Sequence, residues 1–266
     1  MKTYDCFIFN HEIEMLEIRL NILDEYVDYF VLTEGDTTFT GNPKESFYLK
    51  NKDKFSKWEH KIIHNFVNVP KKFTIPWDRE IWSRNSSLNL DIFNDEDLIL
   101  SSDIDEIPNP VILKYKDDWI EDNLHFTFQQ NRYVYYINNA EYQHGKLMDH
   151  WFGTRAATFK YMKNTTIDDI RESTENENEI TGNIITNGGW HFSYCGGEKI
   201  IRKKIESFCD LQYQIPQIYD NLKKNMEQNT DLFYRNWFSY KKVELDNSFP
   251  EYLLKNQKKY SHLIKD

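Results

Sequence analysis

Over its first hundred residues the chain alternates between short apolar runs and longer stretches with helical spacing. Tyr4 to Asn10 reads as a strand, after which Ile13, Leu16, Leu20 and Leu23 recur on one face of an amphipathic helix. Val27 to Glu34 and Lys61 to Val67 read as two further strands separated by a polar connection. Arg79 to Phe93 predicts a helix carrying Ile81, Leu88 and Ile92 on one stripe, and Leu98 to Ser102 predicts a fourth strand. Strands that alternate with helices predict an α/β fold: a mostly parallel sheet with helices on both faces. Beyond Pro110 the pattern changes. His125 to Phe128 and Arg132 to Ile137 are strand-like and rich in aromatic residues, as expected of antiparallel additions to the sheet. Asp168 to Asn183 is polar and predicts a mobile loop, whereas Gly188 to Tyr194 reads as a strand opened by glycines. Ile201, Ile205 and Phe208 mark another helix, and the tail from about Gln212 is helical in pattern and expected to pack on the core. No internal repeat or low-complexity linker divides the chain, so a single domain is expected.

Composition narrows the function classes. A chain of 266 residues with 39% hydrophobic and 16% aromatic content can bury a sizeable core. Its net charge of −10 disfavours a general nucleic-acid or anionic-membrane binder, so a site for an anionic ligand must be locally basic. Arg79, Arg84, Arg171 and the cluster Arg202-Lys203-Lys204 are the candidates. Cys6, Cys195 and Cys209 show no metal-binding spacing and no even disulfide framework, which points to buried thiols in a reducing compartment. The N-terminus enters a strand with Asp5 and His11-Glu12 interrupting any apolar run, so no signal peptide and no bilayer span is expected. The expected location is cytoplasmic.

The candidate chemistry lies where Leu98-Ile99-Leu100 breaks into Ser101-Ser102-Asp103-Ile104-Asp105-Glu106-Ile107-Pro108. If the chain stays extended there, Asp103 and Asp105 point to one side of the sheet. Clustered carboxylates repel unless a cation or protons neutralise them, and a divalent metal with oxygen ligands can in turn hold a diphosphate. That chemistry points to a glycosyltransferase using a nucleotide sugar. Asp95-Glu96-Asp97 repeats the spacing, but it precedes the strand and reads as a solvated turn. Two rivals remain at this stage: a metal-dependent phosphohydrolase with Asp103 as nucleophile and Asp105 as acid, and a non-catalytic carbohydrate-binding protein. Against the first, about a hundred residues precede a motif that such enzymes place on their first strand.

Several separated segments together resemble glycosyltransferase family 17. They are Asn10-His11-Glu12 with Leu16 and Arg19, then Glu34, Thr40-Gly41 and Pro43, then Trp77 and Arg84 ahead of Asp103 to Pro108. Gly189-Trp190-His191-Phe192-Ser193 and Tyr252-Leu253-Leu254-Lys255-Asn256 complete the resemblance, which covers nearly the whole chain. It implies a GT-A-like fold, a UDP-sugar donor with GlcNAc as the default sugar, a glycan acceptor, Mn²⁺ or Mg²⁺, and inversion to a β-linkage. On that reading residues 1–266 form one catalytic domain: a nucleotide-binding half over 1–110, an acceptor- and metal-completing half over 111–211, and a helical extension over 212–266. Asp105 is the expected principal metal ligand, Asp103 is shared between metal and ribose, and His191 is the third ligand, since a neutral imidazole suits Mn²⁺. Asn10 and Glu34, at the ends of the first two strands, are expected donor contacts; a helix cap and a turn carboxylate are their ordinary alternatives. Arg84 is the expected bidentate partner of the diphosphate, with a salt bridge as the alternative. Inverting transfer needs a carboxylate base near the acceptor hydroxyl, and Glu106 and Asp149 are the two candidates. Trp77, Trp151 and Trp190 are candidate sugar platforms. Animal members carry a membrane anchor and work in the Golgi; without one, a microbial or viral enzyme building a surface glycan is expected.

Overall fold

The computed structural model describes residues 1–148, 151–175 and 183–266. Its longer helices are α1 (Ile13–Leu23), α2 (Pro76–Ser86), α3 (Ile167–Glu175), α4 (Gly197–Ser207) and α5 (Pro216–Gln228), with a short α6 (Glu251–Lys255) near the end. Four strands from the first hundred residues, β1 (Thr3–Ile8), β2 (Tyr29–Gly35), β3 (Ile62–Val67) and β4 (Leu98–Asp103), pair in parallel in the order β3-β2-β1-β4. Period-two alternation gives three of them, β1, β2 and β4, two apolar faces. Phe7, Phe30, Leu32, Leu98 and Leu100 pack on the side covered by α1 and α6, while Cys6, Val31 and Ile99 pack against Met162, Ile167 and Ile170 on the other.

Antiparallel strands extend the sheet from β4. They come from β5 (Glu106–Pro108), β6 (Phe126–Val134), β7 (Asn139–Gln143), β8 (Lys146–Leu147), β9 (Trp151–Thr158), β10 (Asn183–Ser193) and β11 (Phe238–Lys242). The full order among the described residues is β11-β7-β6-β9-β4-β1-β2-β3, and β10 runs parallel to β6 while pairing β5 on its other side. The fold is therefore α/β with a mixed sheet, parallel through its first four strands. No helix among the described residues is long and apolar enough to cross a membrane.

Four differences from the sequence reading have physical causes. The helix expected over Arg79 to Phe93 begins at Pro76 and ends at Ser86, followed by a 3-10 turn at Ser87–Asn89. Proline at the first position suits a helix start, and the hydroxyls of Ser83, Ser86 and Ser87 donate to carbonyls three or four residues back, competing with the helical ladder. The stretch expected to be a loop from Asp168 carries α3, because Ile167 and Ile170 bury themselves in the core behind the sheet; residues 176–182 lie outside the described set. Strand β9, central between β4 and β6, carries little periodic signal because Gly153, Thr154, Ala156 and Ala157 are small and the buried Arg155 among them is polar. The tail supplies an edge strand, β11, besides its helices.

Candidate functional site

Strand order decides where the site lies. The chain leaves β1 to build β2 and β3 on one side and returns to place β4 on the other, so the connections that leave the carboxyl ends of β1 and β4 part from each other. Such a switch point opens a crevice where open α/β sheets bind ligands. Ile8 at the end of β1 lies opposite Asp103 at the end of β4, and a cleft of about 390 Å³ begins there. Asn10, Glu12, Asp103, Asp105, His191 and Lys204 are among its lining residues.

The acidic motif itself is bent rather than extended. β4 stops at Asp103, Ile104 and Asp105 form a turn, and β5 resumes at Glu106. Asp103 and Asp105 therefore do not alternate along one strand, though both reach the cleft. A fully buried arginine holds this turn. Arg19 donates through Nη1 to the carbonyl oxygens of Asp103, Ile104 and Glu106 at 3.0, 3.2 and 3.0 Å. Its Nε and Nη2 donate to the Asp5 carboxylate at 2.8 and 2.6 Å, and Nη2 also reaches Ser102 Oγ at 2.6 Å. Asp5 neutralises the guanidinium and the carbonyl fan consumes its remaining donors, so the charge is buried without an orphan. The sequence signal was present: an arginine on the apolar face of α1, between Leu16 and Leu20, needs an acidic partner inside.

The three carboxylates of the turn have three different environments. Asp105 is buried; Lys204 Nζ donates to its Oδ2 at 2.6 Å, and His191 Nε2 stands 3.6 Å from its Oδ1. Burial alone raises the Asp105 carboxyl, but the Lys204 ammonium and then His191 outweigh it and hold it well below the usual range. Glu106 is inaccessible and fully engaged. Arg171 grips both its oxygens at 3.1 and 3.2 Å, Trp151 Nε1 donates at 2.8 Å and the Asp103 amide at 2.9 Å. Against burial, Arg171 and then His191 keep Glu106 ionised at a depressed pKa. A carboxylate so bonded is a poor proton acceptor, which counts against Glu106 as a base. Asp103 is the most exposed of the three at 33%, and accepts from Arg84 Nη2 at 3.2 Å.

The other expected site residues divide sharply. Asn10 lines the cleft; its Nδ2 donates to Ser207 Oγ at 2.8 Å, leaving its buried Oδ1 without a partner. His191 is carried to Asp105 by β10, whose central glycines permit the approach: a Cβ on Gly189 would stand 2.2 Å from the Ile107 carbonyl oxygen, at φ +132. Glu34 is elsewhere. It is inaccessible and accepts from Ser46 Oγ, the Phe47 and Tyr48 amides and Lys44 Nζ, which corrects the expectation of a donor contact to that of a carboxylate closing a turn and a short helix. Arg84 takes the salt-bridge arrangement here: Nη1 donates to Asp168 and Nη2 to Glu80 and Asp103, while its buried Nε has no hydrogen-bond partner. Asp149 lies outside the described residues. Trp77 and Trp151 line the cleft, whereas Trp190 is a core residue whose Nε1 donates to the Ser248 carbonyl. Of the expected basic groups, the structure brings Arg84 to Asp103, Arg171 to Glu106 and Lys204 to Asp105; Arg79 donates to the Phe39 and Thr74 carbonyls and Arg202 to Glu198 and the Tyr219 carbonyl.

Asp105 and His191 suit a small divalent cation. Two donors of one such ion, each about 2.1 Å from it, stand roughly 3–4 Å apart, and the observed pair falls at 3.6 Å. Among the described residues no group of three or more His, Cys, Asp or Glu side chains that could hold a metal ion converges. The sequence profile of glycosyltransferase family 17 matches residues 1–265. The chain belongs to that family. Three relatives named beta-1,4-mannosyl-glycoprotein 4-beta-N-acetylglucosaminyltransferase, from Mus musculus, Rattus norvegicus and Homo sapiens, are each 22% identical to it over 96–97% of its length. The chain spans about half the length of these relatives, 53% in each case. Within this family 17 chain, several residues that carry the likeness meet at the acidic turn: Arg19 clamps it, and Asn10 and His191 line the cleft with Asp103 and Asp105.

Proposed function

We propose that this family 17 chain is a metal-dependent, inverting glycosyltransferase of GT-A-like fold that transfers a sugar, GlcNAc by default, from a UDP-sugar to a glycan hydroxyl with a β-linkage. The observation that carries the reading is the Asp105–His191 pair, 3.6 Å apart and facing a 390 Å³ cleft at the switch point of the parallel strands. Asp105 and His191 would hold Mn²⁺ or Mg²⁺, which as a Lewis acid offsets the charge gained by the departing UDP. Asp103, half-buried and ahead of the turn, would accept from the ribose hydroxyls. The unpartnered Oδ1 of Asn10 is an acceptor suited to a donor N–H of the base. Arg19 keeps the carbonyls of the turn fixed, so that both aspartates present one geometry to the donor. With Glu106 engaged by Arg171, we assign the base to Asp149, which neighbours the cleft-lining Trp151 in sequence. Trp77 and Trp151 offer faces for sugar stacking. The three buried free thiols are in keeping with a cytoplasmic enzyme.

The test is UDP release from a panel of nucleotide sugars, with Mn²⁺ and with EDTA. One UDP-sugar is expected to turn over and EDTA to abolish the reaction. Release from no nucleotide sugar, alongside hydrolysis of a generic phosphomonoester, would favour the phosphohydrolase; binding without turnover would favour a carbohydrate-binding protein on the same fold.

A further inference from the structure

Lys204 is the expected basic residue that meets Asp105 itself, and its setting is unusual for a structural ion pair. Its ammonium bonds Oδ2 of Asp105 at 2.6 Å, while Oδ1 of the same carboxylate faces His191. The Asp105 side chain is 5% exposed, but that of Lys204 is 24% exposed and lines the cleft. The lysine is delivered by a deliberate reversal. After β10 the chain turns back through Tyr194, Gly196 and Gly197, all at positive φ, so that α4 runs from the sheet end past Asp105. Its neighbours are committed elsewhere: Lys203 Nζ lies 3.6 Å from the Phe47 ring centroid and Arg202 bonds Glu198 and the Tyr219 carbonyl.

We propose that Lys204 is a resident cation of the donor site, held by Asp105 in the ligand-free protein and passed to the donor's diphosphate when a divalent ion takes its place. The inference rests on the UDP-sugar reading above. Asp105 cannot keep both cations at full strength, since an entering Mn²⁺ meets an ammonium already bonded to its ligand. A diphosphate relieves this repulsion by supplying negative charge to both. Lysine suits the exchange better than arginine, being a compact charge on a flexible stem with rotatable donors rather than a rigid fork. It follows that metal and nucleotide help each other bind, and that the coupling runs through one side chain.

The experiment measures Mn²⁺ binding alone, and UDP binding in the presence of Mn²⁺, by titration calorimetry for the parent and for Lys204→Met. Removing the ammonium should tighten Mn²⁺ alone about fivefold and weaken UDP about tenfold, the scale of an ordinary coupling between sites. Lys204→Arg should restore part of the UDP affinity. If Mn²⁺ binding to Lys204→Met is unchanged or weaker, or UDP binding is unchanged, the lysine is only a structural partner of Asp105 and the proposal is overturned. Should that variant fail to fold, the parent crystallised with UDP and Mn²⁺ decides. Nζ on a phosphate oxygen supports the exchange, and Nζ still on Asp105 overturns it. A parent that binds neither Mn²⁺ nor UDP overturns the donor-site reading and this proposal with it, whereas a failure confined to the lysine overturns this proposal alone.

Discussion

Two buried carboxylates at the ends of parallel strands invite comparison: Glu34 in the last pleat of β2 and Asp105 just after β4. Glu34 is surrounded by donors, with Ser46 Oγ at 2.5 Å, the Phe47 amide at 2.5 Å and Lys44 Nζ at 3.0 Å. Asp105 has one ammonium on one oxygen and an imidazole beyond hydrogen-bond reach of the other. Both charges are hidden from solvent, so burial does not separate them. The difference is what remains unfilled. Glu34 is saturated by its own protein and closes a turn; Asp105 keeps acceptor capacity toward a cleft, at a strand end where the sheet topology opens a crevice. A site is marked by coordination left over after the fold has satisfied itself.

The largest expected effect comes from the open carboxylate. Asp105→Asn should lower UDP-sugar turnover by at least about a thousandfold, or about 4 kcal/mol of transition-state stabilisation, while circular dichroism shows a folded protein. Turnover equal to the parent's would remove the metal-site assignment. Next comes Arg19, which joins the turn to the core. Arg19→Met strands Asp5 in the interior and should cost about 3–5 kcal/mol in urea unfolding; pairing it with Asp5→Asn should recover part of that loss, and no recovery would show that the carbonyl fan, rather than the ion pair, dominates. Glu34→Gln should cost about 2 kcal/mol of stability, since a Gln amide meets the donors that now face a carboxylate. Its turnover should stay within about twofold of the parent; a loss matching that of Asp105→Asn would erase the distinction between closed and open carboxylates. The smallest effect is on acid stability. Burial raises the Glu34 carboxyl, but His64, Lys44, Ser46 and the Phe47 amide outweigh it and leave its pKa below the usual value. The group therefore stabilises the fold above its unfolded pKa of about 4.3, and that contribution fades as pH falls through the lower folded value. The parent should lose stability more steeply than Glu34→Gln as acid titration passes below that point.

Much of the first half was legible in the residues themselves. Strands β1, β2 and β4 and helix α1 follow from local periodicity, because the apolar runs are short, bounded and nearly continuous in the way that parallel strands buried on both faces require. The acidic turn was visible as the break after Leu100, and the likeness over separated segments identified the family. Strand β9 was not legible, since small residues around a buried arginine, Gly153 to Ala157, carry little periodic signal. Helix α3 was hidden by its polar surface, and only the two isoleucines that meet the core disclose it.

What the sequence alone determined, then, is which residues bear charge and where the backbone can be extended or helical, because those depend on neighbours within a few positions. Which charge meets which was decided by tertiary structure. Arg84 and Lys204 are equally cationic in the sequence, yet strand order buries the first among three carboxylates and a glycine reversal after β10 delivers the second to Asp105. Partners separated by 99 residues are matched by packing, and no local pattern encodes the distance between them.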